Sequence, residues 1–152
     1  DAIEDVDFVF LFECEDRWVE ALRATFKPWM EKVRIVYKYV GDRDEGNCLT
    51  LDSLFAAGEL PSDNLYLKMD IEGAEMQALR GAEKLLAQGK NISLAVCTYH
   101  QAQDVREIPA FLESLGYEYT LTDSFFFFDN EMRKAVCRAK MMSQKTRRSF
   151  FL

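Results

Sequence analysis

Four acids and one imidazole stand where an α/β chain would keep its chemistry: Glu13, Asp42, Asp70, Glu72 and His100. Each follows an apolar run. Glu13 closes Phe8–Phe12, and Asp42 follows Val33–Val40 and Gly41. Asp70 and Glu72 follow Leu65–Met69, and His100 follows Ile92–Cys97. Ligands of open α/β sheets bind beyond the carboxyl ends of the strands, so all five would face one edge. An acid at such a place can accept both hydroxyls of a ribose. An imidazole there can act as a general base or bond a substrate. Asp70, Glu72 and His100 could together hold a divalent cation, but nothing in their spacing demands a metal, and none is expected.

Each residue also has a plainer explanation. Glu13 could be a solvated acid. Asp42 lies in the polar turn Gly41–Asn47, where Asp commonly bonds the local backbone. Glu72 could simply favour a helix N-terminus, and His100 could be a packed, hydrogen-bonded histidine. Asp70 is harder to dismiss. It stands between an apolar strand and a helix, so it is expected to be partly buried and to need a partner.

The elements that position these residues follow from periodicity. Phe8–Phe12 is continuously apolar, as in a strand buried on both faces. Trp18, Val19, Leu22 and Phe26 recur at helical spacing before Pro28. Val33–Val40 alternates as a second strand. Leu51–Ala57 suggests a short helix with Asp52 near its start. Leu65–Met69 and Ile92–Cys97 are further strands. Between them, one helix from Ala74 carries Met76, Leu79, Ala82 or Glu83, and Leu86 on one face and stops at Gly89. A helix with Ile108, Phe111, Leu112 and Leu115 begins at Asp104 or at Pro109 and ends at Gly116. Tyr117–Thr122, Ser124–Phe128 and Lys134–Ala139 are strand candidates. Alternation of strand and helix over the first 115 residues predicts a mostly parallel α/β sheet, and the closing strands predict an antiparallel hairpin at one edge.

Composition limits the function classes. Apolar residues make up 49% of the 152, which argues against disorder. No apolar run approaches the roughly 18–20 residues of a membrane span. A net charge of −7 disfavours a nucleic-acid binder. Residues 1–140 are expected to form one domain and 141–152 a basic tail. The four cysteines are scattered, with no C-x-x-C, which points to a reducing compartment, the cytoplasm.

Three segments are familiar in this order: Leu51-Asp52-Ser53-Leu54, Leu67-Lys68-Met69-Asp70-Ile71-Glu72-Gly73-Ala74-Glu75 and Leu79-Arg80-Gly81-Ala82. With Phe12-Glu13-Cys14-Glu15 upstream and Cys97-Thr98-Tyr99-His100 downstream, the chain resembles the FkbM family of S-adenosylmethionine (SAM)-dependent methyltransferases. The resemblance implies a Rossmann-like sheet, SAM as cofactor and O-methylation of a sugar or small natural product. It implies Glu13 at the ribose, Asp42 near the adenine, and Asp70 and Glu72 at the methyl-transfer cleft. His100 faces that cleft as the candidate base, with Asp70 as the next candidate. It also implies a first strand and a glycine-rich loop that these residues lack: no glycine precedes Gly41 and no G-x-G occurs. A non-catalytic domain that binds a partner is the competing expectation. Phe125–Phe128 is expected to be an edge strand or homodimer contact before any substrate pocket.

Overall fold

The computed structural model describes residues 3–141, and the basic tail lies beyond them apart from Met141. Four strands form the main sheet: β5 (Tyr66–Met69), β6 (Ser93–Cys97), β7 (Tyr117–Leu121) and β10 (Val136–Met141). Their order is β5-β6-β10-β7. β5 and β6 are parallel, and β10 runs antiparallel to both β6 and β7. The antiparallel pair β7–β10 lies along the β6 edge, as expected. β10 enters between β6 and β7, and β7 takes the edge. The intervening β8 (Phe125–Phe128) and β9 (Glu131–Lys134) form a separate antiparallel ribbon. Asp129 and Asn130 turn it with φ of 55° and 63°, the pair of left-handed residues that a two-residue hairpin loop requires.

A second, two-stranded parallel sheet joins β1 (Val9–Glu13) to β2 (Val33–Tyr37). A short parallel pair joins β3 (Tyr39–Val40) to β4 (Cys48–Leu49). Among the described residues no backbone ladder connects β1 to the main sheet. The expectation of a strand buried on both faces therefore fails for β1. It is half-buried throughout, although Phe10 and Phe12 reach the core.

The helices are α1 (Asp16–Thr25), α2 (Leu51–Ala56), α3 (Glu75–Arg80), α4 (Glu83–Gln88) and α5 (Asp104–Ser114). The single helix expected from Ala74 breaks into α3 and α4, for two reasons. Gly81 packs against Gly41 so closely that a Cβ would collide with the Gly41 carbonyl oxygen. Beyond it, Asp52 on α2 accepts the amides of Lys84 (3.0 Å) and Leu85 (2.8 Å). These are orphan donors in the first turn of α4, whose own N-cap, Ala82, offers no side chain. Thr50 does the same for α2, accepting from the Ser53 amide at 3.0 Å. α5 begins at Asp104, with Pro109 inside it.

The core lies between α3, α4, α5 and one face of the main sheet. Leu79, Leu85, Leu86, Ile92, Val96, Ile108 and Leu112 are fully buried there. Each such side chain contributes about 1.5–3 kcal/mol. Tyr117 joins the layers by donating its hydroxyl to the Leu86 carbonyl at 3.0 Å. No helix among the described residues is long and apolar enough to cross a membrane.

Candidate functional site

The parallel pairing of Met69 with Val96 sets Asp70 beside the end of β6, where Thr98-Tyr99-His100 continues. After β5 the chain turns sharply. Glu72 (φ 56°) and Gly73 (φ 96°) are both left-handed, and a non-glycine residue there is uncommon enough to mark a constrained turn. The turn brings Glu75, at the start of α3, back under the loop. Its Oε1 accepts the Ile71 amide at 2.9 Å.

His100 meets that same oxygen. Its Nδ1 lies 2.8 Å from Glu75 Oε1, with both residues buried. On the other side of the ring, Nε2 is 3.7 Å from Asp70 Oδ1 and 3.6 Å from Glu72 Oε2. Asp70 Oδ1 accepts the Tyr99 hydroxyl at 2.9 Å, and Lys68 Nζ lies 3.3 Å from Oδ2. Burial pulls the Asp70 carboxyl up. Hydrogen bonds from Cys97 and Tyr99 together with the Lys68 charge outweigh it, so the carboxyl is held below its ordinary value. The same contact works in reverse on its partners. Burial and then Asp70 push the Tyr99 hydroxyl up, and push the Cys97 thiol up to about 12. Asp104 is also buried nearby, at the start of α5. Burial raises it, the Gln101 amide partly offsets that, and Glu75 raises it further.

The β8–β9 ribbon closes over this cluster. Phe126 stacks on Tyr99 with ring centres 4.4 Å apart, and Phe128 meets His100 at right angles, 5.8 Å away. Arg133 secures the ribbon by donating Nη1 to the carbonyls of both Tyr99 and His100 at 3.1 Å. The phenylalanine run is thus not an edge strand of the main sheet but half of a separate ribbon, whose alternate rings wall the cluster. Phe127, on the opposite face, is 68% exposed.

Of the residues singled out from sequence, Asp70, Glu72 and His100 come together. Glu13 and Asp42 are not part of this cluster. Glu13 Oε1 accepts the amides of Cys14 (2.6 Å) and Glu15 (2.9 Å), a local arrangement, and Asp42 is exposed beside Arg43. Glu75 and Arg133 were not singled out. A first-turn acid and a basic strand residue have ordinary explanations, and only the fold aims them at His100. Asp70, Glu75 and His100 each bring a ligand atom within 4.8 Å of the others, a spacing one divalent cation would fit. The direct bond between Nδ1 and Oε1 satisfies both atoms without one.

The fold and this edge define an α/β domain with a charged cluster where parallel strands end. The chain belongs to the methyltransferase FkbM domain family, whose profile matches residues 20–119. Its fold resembles that of a methyltransferase FkbM from Methylobacillus flagellatus KT, at 17% identity and a TM-score of 0.68. That match covers 88% of this chain and 36% of the other, so this chain spans about a third of it. The fold also resembles a precorrin-6y C5,15-methyltransferase from Geobacter metallireducens GS-15, at 13% identity and a TM-score of 0.52, covering 90% of this chain and 67% of the other. At such identities the likeness is one of fold. No curated protein matches the sequence.

Proposed function

We propose that the chain forms the acceptor-side part of a SAM-dependent methyltransferase that methylates a hydroxyl on a sugar or small natural product. The observation that carries this reading is His100: a buried imidazole beyond β6, held through Nδ1, with Nε2 turned toward two acids that follow the adjacent parallel strand β5. SAM, when bound, supplies an electrophilic methyl group. His100 Nε2 takes the proton of the acceptor hydroxyl as its oxygen attacks, and Asp70 and Glu72 orient that hydroxyl. Alignment of the two reactants contributes most to such a displacement. The base adds about 10²–10⁴-fold where a proton must leave.

The fit to SAM is partial. Glu13 at the end of β1 and Asp42 beyond β3 suit the ribose and adenine by position. The methionine part has no glycine-rich cradle, because no glycine precedes Gly41. Among the described residues β1 pairs only with β2, and β5 only with β6. We infer that a further strand between β1 and β5 completes a Rossmann-like sheet and brings that cradle. The free thiols of Cys14, Cys48, Cys97 and Cys137 support a cytoplasmic location.

Calorimetric titration of SAM into the full-length gene product, then methyl transfer to a panel of hydroxyl acceptors, tests the reading. Binding and transfer are expected. His100→Ala should lower kcat by about 10²–10⁴-fold with SAM affinity kept. A stable oligomer with no affinity at high SAM concentration would instead make this a non-catalytic interaction domain.

A further inference from the structure

We propose that Glu75 is the positioning residue of His100: its buried carboxylate holds the ring in the Nδ1–H tautomer and leaves the Nε2 lone pair facing the cleft. This rests on the methyltransferase reading for its purpose, but not for its geometry. Glu75 is fully buried. A carboxylate in such a place costs several kcal/mol unless hydrogen bonds compensate it. Its Oε1 receives two groups, the Ile71 amide at 2.9 Å and His100 Nδ1 at 2.8 Å. An amide can only donate, so Oε1 is already an acceptor. Oε2 is buried with no partner. As a carboxylate Glu75 has no proton to give, so Oε1 is the acceptor toward the ring and Nδ1 carries the hydrogen.

The other ring nitrogen is then the base. At 3.6 and 3.7 Å, Glu72 and Asp70 are beyond hydrogen-bonding distance of Nε2, and Asp70 Oδ1 already accepts from Tyr99. The ring is confined on other sides as well. Tyr99 lies 4.1 Å from it centre to centre, Phe128 stands edge-on, and Arg133 grips the His100 carbonyl. Glu75 thus supplies the one contact that decides which nitrogen is free. Partners that act through a histidine in this way typically change activity by about 10–100-fold.

His100 is the only histidine of the 152 residues, so its ring nitrogens give unambiguous signals in a ¹⁵N-histidine-labelled sample. Long-range ¹H–¹⁵N spectra of the chain, at a pH where the ring is neutral, should show the Nδ1–H tautomer without SAM or acceptor. Glu75→Leu should switch it to Nε2–H, because no acceptor then faces Nδ1. In the active full-length protein that variant should lower kcat about 10–100-fold, with the acceptor KM little changed. Glu75→Asp should keep the native tautomer and recover part of the rate. An Nε2–H tautomer in the wild type overturns the proposal even if Glu75→Leu fails to fold. So does an unchanged tautomer in Glu75→Leu. Absence of methyl transfer with the tautomers as described would sink the methyltransferase reading alone.

Discussion

At the β5–β6 end of the molecule the reactive groups hold one another across elements, whereas at the β1–β3 end they are held locally or left to solvent. Asp70 is bonded by Tyr99, and Glu75 by His100, over 29 and 25 residues of sequence. Glu13 is bonded by the amides of the next two residues, and Asp42 is exposed. The backbone repeats the contrast. β5 and β6 belong to a four-stranded sheet packed on three helices, while β1 and β2 make a ladder of their own. One end is pre-organised by burial. The other has the right residue types at strand ends without the scaffold that would aim them.

Cysteine alkylation should expose the difference most strongly. Cys97 and Cys137 lie in the main sheet, and burial pushes their thiols up to about 12 and about 11. For Cys97, a rise from 9.0 to about 12 leaves roughly a thousandfold less thiolate at pH 8. Cys14 and Cys48, at the β1–β4 end, are half-exposed. In the native protein iodoacetamide should modify Cys48 while Cys97 and Cys137 stay unmodified until urea is added. Equal labelling of all four would erase the contrast.

Truncation reads it as stability. Leu79→Ala in the fully buried core should cost about 2–5 kcal/mol in urea unfolding. Leu11→Ala in half-buried β1 should cost about 1 kcal/mol. A larger loss at Leu11 would mean that β1 is integral to the main core. Next comes Asp52→Ala, which removes the acceptor for two amides of α4 and should cost about 1–2 kcal/mol.

The smallest effect is with acid. Asp44 is held below its ordinary carboxyl value first by the Thr50 amide; burial opposes this, and the Ser53 and Thr50 hydroxyls add to the lowering. A carboxyl depressed by folding stabilises the native state above the unfolded value of 3.8, and that contribution is lost as pH falls through the depressed value. Asp70 acts with the same sign. Asp104 is raised, so its contribution is present below 3.8 and is lost as pH rises through the raised value. Asp44→Asn should therefore flatten the loss of urea stability below pH 4. An acid limb as steep as the wild type would remove Asp44 from the account.

Much of the fold was legible. Apolar runs closed by acids located β1 and β5, and the apolar run before His100 located β6, because a strand packed against neighbours leaves a trace in its own residues. Helix spacing located α1 and α5. The break between α3 and α4 was not legible, since it depends on Gly81 meeting Gly41 and on Asp52 reaching α4 from another helix. The insertion of β10 between β6 and β7 was also hidden, because a strand's pattern records burial but not which neighbour covers it.

For the site, the sequence by itself determined which groups could react: one histidine and a set of acids at strand ends. Only the tertiary structure decided which of them act together. It buried Glu75 against His100, turned Phe126 and Phe128 onto the same cluster, and left Glu13 to its own backbone. The reason is physical. Residue type sets what an atom can donate or accept, but the partner it finds depends on strand register and helix placement, which are settled by packing across the whole chain.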